Sequence, residues 1–278
     1  MRVISKPTDD PKTVYTACIS KVRDSSLKLQ LQSVADLVET AADEYDQEGL
    51  NKSWFNVATH ENVGFIPREE MEKVYTHRMV GSKSPGRSIY DKIKGSAEQN
   101  ICPICAQRTV STLDHYLPKS NFPSLVVVPY NLIPACSDCN KNKKAEVPDD
   151  AESQTLHPYY DDVTNEQWLF ANVIEDQPAS IKFIVKTPDA WQQVLQDRVN
   201  FHFNTFKLSD LYTSQAAVEL SNIRGQMIRL FDQGGEIAVR DHLHEAADSR
   251  RTNFLNSWQT AMYQSLALSD WYCQGGFC

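Results

Sequence analysis

The chain has 278 residues, of which 41% are hydrophobic and 23% are charged, and its net charge is −8. This composition is that of an ordinary globular protein, and it excludes wholesale disorder and fibrous repeats. No apolar run reaches the roughly 18 residues of a membrane-spanning helix, and residues 1–12 lack the apolar segment of a secretory signal. We therefore expect a cytoplasmic protein with no membrane partner, whose seven cysteines are reduced and serve a purpose other than disulfides.

The charge is distributed unevenly along the chain. Between Lys83 and Lys144, nine lysines and arginines stand against four acidic residues, so this window carries +5 and the remainder −13. A basic segment between acidic flanks is typical of a local surface that binds a polyanion. Ordinary scatter of charges produces the same excess, so the charge alone does not decide between the two interpretations.

The N-terminal region, residues 1–98, is predicted to be helical. Its helical segments are predicted over residues 12–49, 65–79 and 88–97. The first contains apolar residues at steps of three and four, with no glycine or proline before Gly49. Glycine and proline punctuate residues 81–86, which are therefore predicted to form a loop.

The C-terminal region, residues 151–278, is predicted to be mainly helical with one short β-hairpin. Residues 168–174 and 181–185 are rich in β-branched and aromatic side chains, and they are predicted to be its two strands. From Pro188 onward the apolar spacing is that of helices. These helices are predicted over residues 208–231, 237–247 and 254–271.

The middle segment, residues 99–150, is predicted to be a compact metal-binding unit. It contains two Cys-x-x-Cys pairs separated by 30 residues, formed by Cys102, Cys105, Cys136 and Cys139. Two such pairs supply the four thiolates of a tetrahedral structural zinc site. A redox dithiol is the alternative, but neither pair lies at the strand-to-helix turn of a predicted parallel sheet. A structural Zn²⁺ that orders this short unit is therefore predicted.

The residues between and after these pairs carry a more specific pattern. Asp114 and His115 are adjacent, Asn131 follows, and Cys139-Asn140 precedes Lys143 by one helical turn. In this order they resemble the HNH endonuclease family, whose catalytic unit is a ββα-metal fold. The resemblance implies an α+β, mainly α fold, in which the HNH unit and its four-cysteine zinc site are inserted between helical N- and C-terminal regions.

The same resemblance implies a role for each residue of the pattern. Asp114 and Asn140 would hold a catalytic divalent ion, His115 would activate water, and Asn131 would hold the loop that orients His115. Because Asn140 offers an amide oxygen where a histidine stands in the family's name-giving pattern, hard ions such as Mg²⁺ or Mn²⁺ are favoured. Basic residues predicted to contact the nucleic-acid backbone are Lys119, Lys141, Lys143, Lys144 and Arg87.

Two of the candidate residues have open alternatives. Arg87 either contacts phosphate or merely packs against its neighbours. His157 is either a further metal ligand, if the chain folds back onto the site, or a structural residue of the turn before Pro158.

The predicted function is that of a metal-dependent endonuclease, a phosphodiester hydrolase that acts on DNA. The chain is similar to HNH nucleases that act beside an ATPase in bacterial anti-phage defence, such as the nuclease component of Septu and of some retron systems. Since this chain has no G-x-x-x-x-G-K motif of its own, the similarity implies a P-loop ATPase as partner. The alternative is a zinc-stabilised adaptor that binds nucleic acid or protein without cutting. RNA stays open as a substrate.

Overall fold

The computed structural model describes residues 1–278, which divide into two compact units, residues 1–161 and 162–278. Helices predominate, and the strands form three separate two-stranded antiparallel sheets. This confirms the predicted α+β, mainly α fold. The region boundaries predicted at 98/99 and 150/151 were based on sequence motifs. By residue contacts, the N-terminal helices and the cysteine-containing segment form one unit. None of the helices combines the length and apolar character that a membrane span requires.

The helical segment predicted over residues 12–49 is divided into three helices. They are α1 (Pro11–Ile19), α2 (Ser25–Gln32) and α3 (Ala35–Asn51). Side-chain capping sets the starts of α1 and α2, because an aspartate at a helix start satisfies backbone N–H groups that lack helical partners. Asp10 accepts from the backbone N–H of Thr13 at 2.7 Å, and Asp24 accepts from that of Leu27 at 3.0 Å.

A short hairpin precedes the next two helices of unit 1. Its strands are β1 (Asn62–Val63) and β2 (Ile66–Pro67), and the helices are α4 (Arg68–Arg78) and α5 (Arg87–Lys94). The helix predicted from residue 65 begins later because residues 62–67 pair across a turn in which Gly64 has φ 58°. Residues 81–86 form the predicted loop between α4 and α5.

The cysteine-containing segment folds as two strands followed by a helix. These elements are β3 (Thr112–His115), β4 (Leu132–Ala135) and α6 (Ser137–Lys143). The strands are antiparallel, with Asp114 opposite Ile133 and His115 opposite Leu132. Helices α5 and α6 both contact β3, so both of its faces are covered and its residues 113–115 are buried.

Unit 2 contains the predicted hairpin and the C-terminal helices. Its elements are β5 (Leu169–Ile174), β6 (Ser180–Val185), α7 (Gln193–Thr205), α8 (Leu208–Asn253), α9 (Trp258–Leu268) and a π-helical turn, Tyr272–Gly276. Helix α8 kinks at Gly235, where φ is 63°, instead of ending at the glycine pair as predicted. Helices α8 and α9 pack against each other and against the hairpin, which forms the core of this unit.

Candidate metal centre and active site

The four predicted cysteine ligands lie together in unit 1. The sulfur atoms of Cys102, Cys105, Cys136 and Cys139 are all within 4.8 Å of one another, and all four residues are buried. The sulfurs of Cys105 and Cys136 are 4.0 Å apart. A tetrahedral zinc site with Zn–S bonds of about 2.3 Å places its sulfurs about 3.8 Å apart. The cluster therefore fits a structural metal such as zinc.

Local hydrogen bonds shape each cysteine pair for ligation. The backbone N–H of Arg108 donates to Cys105 Sγ at 3.4 Å, and that of Cys139 donates to Cys136 Sγ at 3.4 Å at the start of α6. Such N–H donors stabilise negative charge on sulfur, which is the form that binds a metal. An ion pair of 2.9 Å between Arg108 and Asp138 links the two pairs.

Asp114 lies on β3 and is only 6% exposed. Its Oδ2 is buried without a hydrogen-bond partner and lies 4.0 Å from Lys143 Nζ on α6. Burial raises the pKa of the Asp114 carboxyl to about 6, and the nearby Lys143 ammonium opposes that rise. A buried carboxylate oxygen that accepts no hydrogen bond is unfavourable, and a bound cation would stabilise it.

His115, the next residue of β3, contacts different elements. Its Nε2 lies 2.9 Å from the carbonyl oxygen of Val126, and its ring meets the Tyr75 ring of α4 edge-on at 4.4 Å between centroids. Because a carbonyl can only accept, Nε2 carries the proton and Nδ1 holds the lone pair. Burial lowers the pKa of His115 to about 4. The imidazole is therefore neutral at pH 7.

Asn131 fixes the loop that connects the two strands. Its side-chain amide accepts from the backbone N–H of Leu117 at 2.8 Å and donates to the carbonyls of Leu117 and Leu125 at 3.1 and 3.2 Å. Its side chain is fully buried. The loop thus held carries the Val126 carbonyl, which lies 2.9 Å from Nε2 of His115.

Asn140 lies half-buried on α6, and the structure gives it no direct bond to Asp114. It stands one helical turn before Lys143, whose side chain reaches Asp114, and residues three apart share one face of a helix. Asn140 and Lys143 therefore share one side of α6. A charged carboxylate oxygen and a neutral amide oxygen are the donors that a hard divalent ion prefers, so these residues fit Mg²⁺ or Mn²⁺ in chemistry.

The five basic residues predicted to contact nucleic acid have different surroundings. Lys143 is buried, and its ammonium donates to the carbonyls of His115 and Tyr116 at 2.8 and 2.6 Å, so it faces the hairpin instead of an external phosphate. The others keep surface positions. Lys119 pairs with Glu72 at 3.1 Å, Arg87 with Asp91 at 2.8 Å and Lys144 with Glu146 at 3.7 Å, while Lys141 is exposed.

His157 has the surroundings of a structural residue. Its Nδ1 accepts from the backbone N–H of Tyr159 at 3.1 Å, and its Nε2 lies 2.9 Å from the Tyr45 hydroxyl. The ring stacks on Trp54 at 5.0 Å and is fully buried. Both ring nitrogens are therefore engaged within this aromatic cluster, and neither is available as a metal ligand.

Two features of the site were not predicted from the sequence: the burial of Lys143, which was predicted to contact nucleic acid, and the contact of His115 with the Val126 carbonyl. The burial of Lys143 had a usable signal, because Cys139 faces the hairpin as a ligand and a residue four positions later lies on the same helix face. The role of the Val126 carbonyl had no signal in the sequence, since every loop residue offers a backbone carbonyl.

Comparisons with known proteins identify one relationship. No family model matches the chain, and no solved structure matches it. Protein ea31 of Escherichia phage lambda is 30% identical over 227 residues, which cover 77% of this chain and 76% of that protein. At this identity and coverage, the chain belongs to the same protein family as ea31 of phage lambda.

Proposed function

We propose that this protein is a metal-dependent endonuclease of the HNH type that hydrolyses phosphodiester bonds of DNA. One observation carries the proposal: a neutral imidazole, oriented by the Val126 carbonyl, follows directly along β3 a buried carboxylate oxygen that has no hydrogen-bond partner. The two residues are His115 and Asp114 of β3. A base next to an anionic cation ligand is what metal-assisted hydrolysis of a phosphodiester needs.

His115 acts as the general base. With its Nε2 proton directed at the Val126 carbonyl, Nδ1 takes a proton from a water molecule. The water oxygen bonds to phosphorus as the bond from phosphorus to the leaving oxygen breaks, and the leaving oxygen takes a proton from solvent. The lowered pKa of His115 keeps the ring unprotonated before each reaction at neutral pH.

Asp114 and Asn140 would hold the catalytic Mg²⁺ or Mn²⁺, since carboxylate and amide oxygens are the donors that a hard ion prefers. When bound, such an ion would withdraw charge from the phosphate oxygens and make the phosphorus a better electrophile. Lys143, 4.0 Å from Asp114, keeps the carboxyl ionised against its burial.

Zinc has a structural role in this proposal. The four cysteines join the segment before β3 to the start of α6, so a metal shared by them fixes the hairpin against the helix. A shared metal would add this cross-link to the apolar packing of unit 1.

A partner that delivers the enzyme to DNA completes the proposal. The net charge of −8 and the pairing of Lys119, Arg87 and Lys144 with acids leave little general attraction for a polyanion. We infer from the resemblance to defence nucleases that the partner is a P-loop ATPase and that the protein is an anti-phage effector in the cytoplasm. The name of the phage relative states no activity, so the proposal rests on the site.

Plasmid cleavage tests the proposal. Zinc-loaded protein is incubated with supercoiled plasmid and Mg²⁺ or Mn²⁺, beside His115→Ala and the matched control His60→Ala, which removes an exposed histidine. We expect the wild type and the control to nick the plasmid, and His115→Ala to be about 10² to 10⁴-fold slower. A structured RNA in a parallel reaction distinguishes the two nucleic acids.

Two outcomes contradict the proposal. One is equal cleavage by the wild type and His115→Ala at matched zinc content. The other is the absence of cleavage by zinc-loaded protein with either metal, in the presence of any ATPase encoded beside it. Binding of DNA in a gel-shift assay without cleavage would instead identify the zinc-stabilised adaptor.

A further inference from the structure

An open cleft of about 470 Å³ lies in unit 1 at the end of α4. It is bordered by the residues after α1, the last residues of α4 and the loop that follows α4. Four basic side chains line it, those of Lys21, His77, Arg78 and Lys83. No acidic residue lines it. The cleft therefore has an uncompensated positive charge.

These basic side chains lack the partners that other basic residues of unit 1 have. Lys92, Arg87 and Lys119 pair with acids at 2.9, 2.8 and 3.1 Å, whereas none of the four side chains at the cleft forms an ion pair or hydrogen bond. The Nη1 of Arg78 is buried without a hydrogen-bond partner. Since an unpaired buried N–H is unfavourable, an acceptor from outside the protein would stabilise it.

The remaining surface of the cleft does not neutralise this charge. Cys18 lines the cleft, and burial raises the pKa of its thiol to about 12, so the sulfur is uncharged at pH 7. A guanidinium among ammonium groups is the arrangement that proteins use to bind phosphate, because its fork of N–H donors matches two phosphate oxygens.

The cleft is close to the candidate catalytic residues along α4. Tyr75 of α4 meets the His115 ring at 4.4 Å, and Arg78 stands three residues later. Three residues advance a helix by about 4.5 Å and return to the same face. One helix therefore contributes both the Tyr75 ring that contacts His115 and the Arg78 side chain that lines the cleft.

We propose that this cleft binds a backbone phosphate of the DNA substrate, next to the phosphodiester bond that is cleaved. The inference rests on the proposed function, because it takes Asp114 and His115 as the site of cleavage. A free nucleotide or inorganic phosphate has the same phosphoryl chemistry. Helix α4 both lines the cleft and contacts His115, and this shared element favours the DNA backbone.

Equilibrium DNA binding, measured without added divalent ion, tests the inference independently of cleavage. Lys21→Glu/Lys83→Glu is compared with Lys182→Glu/Arg251→Glu, which makes the same charge change at exposed residues of unit 2. Fluorescence anisotropy with a labelled duplex gives the affinity over a series of salt concentrations. We expect the cleft variant to bind at least about 10-fold more weakly, and its slope of log affinity against log salt to fall by about 1 to 2.

Titration with inorganic phosphate and with ATP forms the second arm. Equal DNA affinity of the two double variants overturns the inference. It is also overturned if the cleft variant loses affinity for ATP or inorganic phosphate but keeps its affinity for DNA. Failure of the wild type to bind DNA also overturns it. A wild type that does not cut DNA, with DNA affinity lost only in the cleft variant, refutes the proposed nuclease and supports the cleft. If the cleft variant cuts DNA normally and its DNA affinity is unchanged, the result supports the proposed nuclease and refutes the phosphate-binding cleft.

Discussion

Replacing Lys143 by methionine removes a buried ammonium and keeps most of the volume of the side chain. The ammonium donates to the carbonyls of His115 and Tyr116 at 2.8 and 2.6 Å and lies 4.0 Å from Asp114 Oδ2. Methionine preserves the apolar stem, so the change isolates the charge and its hydrogen bonds. The substitution leaves the Asp114 carboxylate buried without a counter-ion.

The magnitude follows from these distances. Two unit charges 4 Å apart attract by about 4 kcal/mol at an effective dielectric constant of 20, and desolvation of both groups offsets part of this. Each hydrogen bond from a charged donor adds about 1.5 to 3 kcal/mol that the variant loses. Breaking a buried pair by removing one partner costs about 3 to 5 kcal/mol, and we expect a loss in that range for Lys143→Met.

A double-mutant cycle separates the ion pair from the hydrogen bonds. Urea unfolding of zinc-saturated protein is measured for the wild type, Lys143→Met, Asp114→Asn and the double variant, without added divalent ion. The hydrogen bonds to the two carbonyls are lost in both Lys143 variants, so they cancel in the coupling energy. We expect a favourable coupling of about 2 to 3 kcal/mol between the two charges.

Additive effects would refute this reasoning. If the free-energy changes of the two single variants sum to that of the double variant within about 0.5 kcal/mol, the ammonium is not the counter-ion of Asp114. The position of Lys143 on α6 would then serve only to hold the two carbonyls. Zinc content is measured for each variant, so that loss of the metal is not mistaken for loss of the ion pair.

Three further predictions concern the metal, the loop and the cleft. Zinc-loaded protein is expected to hold one zinc per chain by metal analysis; Cys136→Ser lowers that stoichiometry, and unchanged zinc content would contradict the four-sulfur site. Asn131→Ala leaves the buried N–H and carbonyl of Leu117 unpaired, removes one of the two hydrogen bonds to the Leu125 carbonyl, and is expected to lower the free energy of unfolding by about 2 to 4 kcal/mol; a loss below about 1 kcal/mol in urea unfolding would contradict this. Gly86→Ala places a Cβ 2.6 Å from Sγ of Cys18, which lines the cleft, and 3.0 Å from a backbone carbonyl, so thermal unfolding should show a loss of about 1 to 3 kcal/mol, whereas an unchanged melting temperature would contradict this.

The ββα centre could be predicted from the sequence because its constraints are local. The spacing of Cys102 and Cys105, and again of Cys136 and Cys139, determines how each pair can share a metal, and the predicted Asp114–His115 strand lies between the pairs. The hairpin of unit 2 was also predicted, because β-branched residues there are dense and bounded by turn residues.

Breaks and long-range contacts were harder to predict. The apolar spacing continues through residues 20–24, so periodicity alone predicts helix there, although Asp24 caps a new helix. The four basic residues of the cleft come from three separate segments, and only the packing of α1 beside α4 brings them together. A charge count along the chain averages over such segments and misses the cleft.

The 30 residues between the two cysteine pairs have a consequence for biosynthesis. Both strands of the hairpin lie inside the loop that the metal closes, and the last ligand, Cys139, comes after all of them. A ribosome-bound chain shorter than residue 139 therefore cannot complete the centre, whatever the zinc supply. With zinc as the proposed metal, the centre would be completed only after synthesis has passed α6 and an ion has been acquired, so the cell's free zinc would limit how quickly new molecules mature.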